Sequence, residues 1–171
     1  LMKDIIEAVD RNLIEAELTE DKFMRKTNFG ENSIYVCTAH DSPNVMQEVG
    51  RLRELAFRRA GGGTGKEADI DQYDLAKIPY KQLIVWDDEC KEITGGYRFI
   101  ELNTLSKSEL GNIKLATQGL LHFSDTFKKD YLPYTIELGR SFVQPNFQSG
   151  SPTRKTLFAL DNLWDGLGAL W

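Results

Sequence analysis

The sequence predicts one α/β domain of the α+β type, with a mostly antiparallel central sheet flanked by helices. Three observations support this prediction: an amphipathic helix near residues 43–60, a hairpin over residues 82–102, and a strand over residues 134–143. The two strands of a hairpin pair antiparallel, because a parallel pair needs a crossover connection between its strands. The length of 171 residues fits a single domain with a substantial core.

The composition is that of an ordinary globular protein, with 41% hydrophobic and 27% charged residues. The net charge of −5 argues against nucleic acid as the main partner. No signal peptide or apolar run of membrane-spanning length is present, and two distant cysteines indicate no disulfide framework, so we expect a cytoplasmic location. The chain starts at Leu1 and stops at Trp171 inside an apolar run, which suggests a fragment of a longer protein.

The first 42 residues should supply N-terminal helices and a strand ahead of the core at 43–171. Apolar residues at helical spacing predict a helix over residues 3–26, in which Thr19 caps a further turn containing Phe23 and Met24. Alternation over residues 33–39 predicts a strand.

The next helix has the clearest boundaries in the chain. Asp41 and Ser42 offer caps and Pro43 suits the first turn, while Gly61–Gly63 ends the helix near Ala60. Its predicted inward residues are Val45, Val49, Leu52 and Ala56.

Downstream of this helix the pattern changes to strands. Gln82 to Asp87 and Ile93 to Leu102 predict the hairpin, and a short helix is expected near Ser124 to Lys129. A strand from Tyr134 to Val143, a polar loop and a helix from about Thr153 complete the predicted order.

The strand at residues 134–143 carries the first candidate site. Ile136, Leu138 and Phe142 share one parity and predict a buried face, whereas Glu137 and Arg140 should point to opposite faces of a regular strand. A bulge at Gly139 would bring both charges to one face and free backbone N–H groups. Such a place suits a general base beside an oxyanion or phosphate, with a structural ion pair as the alternative.

Several charged residues that precede this strand in the sequence could form ion pairs with one another. Arg53 shares a helix face with Phe57 and lies on the inward side, so its charge needs Asp71 or Asp74 as a partner. The acidic loop containing Asp69 either is solvated, holds an arginine or attracts a cationic substrate amine. Arg98 alternates away from its aromatic neighbours, and an exposed cross-strand position is the alternative for it.

Two familiar motifs are excluded. Gly61–Lys66 fails as a phosphate loop because Ala60 and Glu67 stand where glycine and a hydroxyl residue are needed, so a flexible loop or lid is predicted. We expect no metal site and no cysteine nucleophile, because His40 and His122 lack partners at ligand spacing and Cys37 lies in a predicted core strand.

Taken together, these residues resemble the acyl-homoserine-lactone synthase branch of the GNAT acyltransferase superfamily. They are more similar still to ornithine-lipid-type N-acyltransferases and to proteins labelled hemolysin-like or lysophospholipid acyltransferases. The resemblance covers about residues 45–170. It rests on the order and spacing of Leu52–Arg58, Asp69–Asp74, Gly95–Arg98 and Glu137–Ser141.

The resemblance implies a GNAT sheet whose strands splay to admit the donor's pantetheine arm. It implies transfer of an acyl group from acyl carrier protein, or from coenzyme A, to the primary amine of an amino acid, which gives an N-acyl amino acid lipid. Glu137 would remove the amine proton and Arg140 would steady the oxyanion or the phosphopantetheine, without a covalent enzyme intermediate. The implied substrate-binding residues are Arg53, Phe57, Asp71, Asp74, Arg98 and Ser141.

The chain departs from this family pattern in two places. A tryptophan typical of lactone synthases is replaced by the Gly61–Gly65 loop, which favours the lipid branch. The glycine-rich pyrophosphate loop is also missing, although a helix N-terminus with Arg154 and Lys155 could hold phosphate. This second departure favours acyl carrier protein as the donor. Its docking surface would comprise Arg51, Arg58, Arg59, Lys128 and Lys129, unless these residues serve solubility alone.

The apolar last helix suggests contact with a further segment, a partner or a membrane surface. Two other functions stay open at this point. One is a non-catalytic domain that binds an acyl carrier or a membrane, and the other is an N-acetyltransferase that uses acetyl-CoA.

Overall fold

A computed structural model describes residues 2–147 and 159–168 of the chain. Within these two ranges, five antiparallel strands form one sheet in sequence order, and helices cover both of its faces. The predicted fold class is therefore confirmed. The strands are β1 (Phe23–Lys26), β2 (Ser33–Cys37), β3 (Lys81–Asp87), β4 (Glu92–Glu101) and β5 (Ile136–Val143). The helices are α1 (Arg11–Glu17), α2 (Pro43–Arg59), α3 (Lys107–Asn112) and α4 (Ala159–Gly168).

The N-terminal region differs from the predicted helix over residues 3–26. Residues 2–10 are not helical, because the Lys3 and Ile6 amides donate to the carbonyls of Gly65 and Glu67. Helix α1 is therefore short, and it begins after Asp10, whose side chain accepts from the Asn12 amide at 2.8 Å. The turn expected after Thr19 is a single 3₁₀ turn, which leads into edge strand β1.

Helix α2 has nearly the predicted bounds, but the predicted cap was wrong: Glu17, and not the Ser42 side chain, accepts from the Asn44 and Val45 amides. Proline occupies its first turn, and the four residues predicted to face inward are all buried. The helix ends at Arg59, and Gly61 takes a φ of +81°, a left-handed conformation that glycine adopts without steric cost. This helix covers one face of the sheet and forms the main core with β2, β3 and β4.

Helix α4 covers the opposite face. A Cβ at Gly166 would lie 2.6 Å from Leu83 of β3, so this helix approaches the sheet at a point that only glycine permits. Asp165 accepts hydrogen bonds from the backbone and the side chain of Asn28, which fixes the helix to the turn before β2. The predicted start of this helix at Thr153 lies outside the described residues.

The segment between β4 and β5 encloses a further apolar cluster, which includes Tyr80, Leu102, Leu115 and Leu132. The short helix expected near Ser124–Lys129 occurs as a π-helical turn at Phe127–Tyr131. Within residues 2–147 and 159–168, no helix combines the length and the apolar character that a membrane span requires.

Candidate active site

Strand β5 contains a bulge one residue beyond the predicted position. Gly139 pairs with Arg98 and Phe142 pairs with Gly96, so two residues of β5, Arg140 and Ser141, lie opposite the single residue Tyr97 of β4. Arg140 has a φ of +53°, which is rare for a residue with a side chain, so the irregularity is centred on Arg140 and Ser141. The bulge was therefore predicted correctly, but its position at Gly139 was wrong.

The bulge changes which side chains of β5 share a face. Glu137 contacts Tyr80, and Arg140 reaches Asp69 and Asp71 on the α2 side of the sheet, so both charges lie on that side. Phe142, beyond the bulge, also joins the core against α2. The predicted buried face fails at Leu138, which is 43% exposed.

Glu137 is only 9% exposed, and its carboxylate accepts three hydrogen bonds. Its Oε1 accepts from the Tyr80 hydroxyl at 2.9 Å and from the Thr117 amide at 3.2 Å, and its Oε2 accepts from the Thr117 hydroxyl at 2.9 Å. The Tyr80 hydroxyl in turn accepts from the Ala116 amide at 3.0 Å. This arrangement fixes the carboxylate and leaves acceptor capacity on Oε2.

Arg53 of α2 is completely buried and is paired with Asp74, one of the two partners expected for it. Its Nη1 lies 3.3 Å from both carboxylate oxygens of Asp74, and its Nη2 donates to Gln82 Oε1. The Gln82 amide donates back to Asp74 at 3.0 Å. A guanidinium without water around it needs such partners, and Gln82 of β3 closes the group.

Arg98 of β4 joins this pair to the centre of the site. It donates to Asp71 at 2.8 Å and to Asp74 at 3.2 Å, and its guanidinium lies over the rings of Tyr73 and Tyr80, 5.4 and 5.1 Å from their centroids. Arg98 is buried, so the exposed position that the sequence left open for it is wrong. Burial opposes ionisation of Asp71, but the hydrogen bond and the charge of Arg98 outweigh it and lower the pKa of Asp71.

Arg140 is held less tightly than the other two arginines. Its Nε lies 3.5 Å from Asp69 and its Nη2 lies 3.8 Å from Asp71, while its guanidinium stands 5.8 Å from the ring centroid of Phe57. Asp69 Oδ2 is buried and accepts no hydrogen bond, and this burial raises the pKa of Asp69 although Arg140 and Arg53 oppose the shift. The arginine is therefore near its acidic partners, half-buried, and free to engage a further group.

The acidic loop reaches this position because α2 has a glycine where the two meet. The Asp69 amide donates to the Gly50 carbonyl at 2.9 Å. A Cβ at Gly50 would lie 2.5 Å from Ile70 and 3.3 Å from Ala68. A larger residue at position 50 would therefore move the loop that carries Asp71 and Asp74.

The site lies in a region of the chain that matches a known protein family. Residues 52–157 match the model of the acetyltransferase (GNAT) domain, and this range includes every charged residue of the site described above. The chain belongs to the GNAT family.

Two curated relatives extend the similarity of this GNAT chain beyond the family model. Proteins named glycine N(alpha)-acyltransferase from Phocaeicola vulgatus and Bacteroides thetaiotaomicron are each 57% identical to it over 169 residues, or 99% of its length. The aligned region covers 52% and 50% of those two proteins, so the chain spans about half the length of the curated relatives it matches. No solved structure matches it significantly.

The glycine-rich loop of this GNAT chain binds a carboxylate of the same chain, that of Glu54. Glu54 of α2 accepts from the Thr64 amide at 2.9 Å, the Thr64 hydroxyl at 2.6 Å, the Gly65 amide at 2.8 Å and Arg58 Nε at 2.7 Å. Burial opposes ionisation of Glu54, but these bonds outweigh it and lower its pKa to about 2. The two bonded amides are thus occupied and do not hold phosphate.

The remaining predicted residues are distributed more widely in the GNAT fold. Ser141 lies exposed in the bulge, beside a cavity of about 350 Å³ between β5 and α4. Arg154 and Lys155 lie outside the described residues. Two residues of the predicted docking surface for acyl carrier protein, Arg51 and Arg58, form ion pairs with Glu48 and Glu54. The other three are exposed: Arg59, Lys128 and Lys129.

Tyr80, Gln82 and Thr117 were not predicted as site residues. Tyr80 lies just before the predicted strand, and its partner Glu137 is 57 residues away. Thr117 lies in a segment with no clear periodicity. Gln82 was identified only as the start of a strand, although a polar residue opening an apolar run was a signal that it faces a polar group.

Proposed function

We propose that this chain is the catalytic part of an N-acyltransferase that transfers an acyl group from acyl carrier protein to the amine of an amino acid. Glycine is the amino acid that the names of the two relatives suggest. The product is an N-acyl amino acid lipid, and acyl-CoA is the second candidate donor. The enzyme works in the cytoplasm, in peripheral contact with a membrane.

The observation that carries the proposal is the 57% identity to two proteins named glycine N(alpha)-acyltransferase, which extends over 99% of the chain. The similarity therefore includes the region of the fixed carboxylate, the arginine and aspartate groups and the bulge. The geometry supports the same reaction, because it offers one fixed base and one half-buried cation on the same side of an edge strand.

Glu137 removes the proton that keeps the amine from reacting. An ammonium has no lone pair, so a base must accept a proton before the nitrogen attacks the thioester carbonyl. The C–N bond then forms and the C–S bond breaks. Of the two protons that the ammonium loses, one goes to Glu137, directly or through water, and the other to the departing thiolate.

Arg140 and the bulge act on the negative charge that develops on the carbonyl oxygen. The guanidinium is half-buried and lies 3.5 and 3.8 Å from its two aspartates, so it can turn toward an oxyanion without breaking a hydrogen bond. An irregular strand also leaves backbone N–H groups unpaired, and preorganised donors of this kind stabilise tetrahedral intermediates.

The buried groups around Arg53 and Arg98 form the floor of the acceptor pocket. Their hydrogen bonds are made within the chain, so they fix the shape and the charge of the pocket and take no proton from the substrate. Arg98 also lies against Tyr80, which holds Glu137, and thus connects the floor to the base.

The direct experiment gives the full-length protein a long-chain acyl carrier protein and a panel of amino acids, with mass spectrometry of the products. We expect an acyl amide, with glycine as the best acceptor. Binding of the acyl carrier without amide formation would favour a non-catalytic binding domain. Product formed only from acetyl-CoA would favour a short-chain acetyltransferase, and either result would refute the proposal.

A further inference from the structure

A cavity of about 300 Å³ lies beside the start of β5. Its walls include Leu102, Leu115, Phe127, Leu132 and Ile136, and it is bounded on one side by the irregular segment between β4 and β5. The volume is at the lower end of the range that small-molecule sites have in proteins.

The polar end of this cavity is formed by the candidate base. Glu137 and Thr117 line it together, and they are joined by hydrogen bonds of 3.2 and 2.9 Å. Among the described residues that line the cavity, Glu137 is also the only one with a charged side chain. A ligand that fits this site is therefore apolar along its length and carries its reactive group at the end near Glu137.

The outer wall of the cavity continues into an exposed apolar surface. Leu121 lines the cavity and is 63% exposed, and its neighbour Leu120 is 85% exposed. Behind them, Phe123 and Phe127 pack with ring centroids 5.0 Å apart. Leu121 therefore connects the interior of the cavity to the surroundings of the protein, whereas Leu120 does not line the cavity.

We infer that this cavity binds the fatty acyl chain of the donor and of the amide product, and that Leu121 helps to set the chain length. The inference rests on the proposed function, because it takes Glu137 as the base beside the thioester carbon. A polar acceptor such as an amino acid does not suit the cavity, since burying its charged groups among leucines and phenylalanines would be costly.

The test compares two adjacent leucines. Leu121→Trp fills the mouth of the cavity, whereas Leu120→Trp places the same bulk at a position that does not line it. Each full-length variant is given acyl carrier proteins loaded with chains of increasing length and a fixed glycine concentration. One methylene in an apolar pocket changes kcat/KM by about tenfold or more, so Leu121→Trp should lower the ratio of long-chain to short-chain transfer at least tenfold.

Leu120→Trp should leave the chain-length profile as it is in the wild type. Equal profiles for both variants, or a loss in Leu121→Trp that is the same for every chain length, would overturn the assignment of the cavity.

Direct binding separates failure of this inference from failure of the proposed function. The fluorescent fatty acid cis-parinaric acid is titrated into the wild type and both variants, and Leu121→Trp alone should weaken its binding, by about tenfold. If no amide forms with any donor but this difference in binding is found, the acyl site stands and the reaction is wrong. If amide forms but all three proteins bind the probe equally, the site is wrong and the reaction stands.

Discussion

At the scale of single residues, the site depends on how one carboxylate is held. Glu137 lies on an edge strand, where a long side chain would otherwise have several rotamers. Three donors restrict it, and two of them come from Thr117. The sequence indicated Glu137 as a candidate, but it contained no local signal for Tyr80 or Thr117, because both contacts span 20 residues or more of chain.

The variant Tyr80→Phe tests whether the Tyr80 hydroxyl positions Glu137 for catalysis. The change removes one donor to Glu137 and the acceptor of the Ala116 amide, which costs roughly 1–3 kcal/mol of stability. A base displaced by part of an ångström loses rate, so we expect kcat to fall by about 10- to 100-fold with little change in the KM of the acyl donor.

Steady-state kinetics and thermal unfolding measure these two effects. The control is Thr117→Ser, which keeps a hydroxyl for Glu137 Oε2 and should retain most of the activity. A Tyr80→Phe protein that is folded and has an unchanged kcat would show that Tyr80 does not position the base.

At the scale of elements, the sequence predicted what depends on local patterns and missed what depends on distant contacts. Helix α2 was predicted with its boundaries, because Pro43, the spacing of the apolar residues and the following glycines are all local signals. Strand β1 was not predicted, because all four of its residues are exposed and nothing in the sequence alternates. The bulge was predicted one residue too early, because glycine is the usual residue in such conformations and here Arg140 adopts a positive φ.

The loop after α2 gives a prediction about stability and pH. The pKa of Glu54 is about 2 in the folded chain and 4.5 ordinarily, so its bonds to the loop stabilise the fold fully above about pH 4.5. This contribution, about 3 kcal/mol, is lost as the pH falls from 4.5 toward 2.

Urea unfolding of Glu54→Gln should therefore show a loss of stability of about this size at pH 6. The difference from the wild type should shrink steadily between pH 4.5 and pH 2. Glu7→Gln changes an exposed carboxylate and should match the wild type throughout. A difference between Glu54→Gln and the wild type that does not vary with pH would contradict this account of the loop.

At the scale of the whole molecule, one network of arginines and aspartates connects the elements that surround the site. Arg53 comes from α2, the aspartates come from the loop at 69–74, and Arg98 and Arg140 come from two adjacent strands. The sequence predicted that Arg53 would pair with Asp71 or Asp74, because a buried arginine needs a partner, and the family resemblance implied that Arg98 would join them. It did not predict which pairs form, since that depends on how closely the loop approaches α2 at Gly50.

Asp74→Asn tests whether this network holds the molecule together. The change keeps the size of the side chain but leaves the charge of the buried Arg53 without its carboxylate, which should cost about 3–5 kcal/mol. Glu101→Gln breaks the half-exposed pair with Lys81 and should cost about 1 kcal/mol or less. Urea unfolding measures both variants, and equal small losses would mean that the buried network contributes little to stability.

The proposed reaction depends above all on Glu137 as the base for acyl transfer to an amine. The most direct measurement is the rate of acyl-glycine formation by Glu137→Gln, together with its affinity for the acyl carrier protein. We predict that turnover falls by at least about 100-fold while the donor still binds as it does to the wild type. Glu101→Gln serves as the matched control and should retain its turnover. Unchanged turnover in a folded Glu137→Gln protein would contradict the claim.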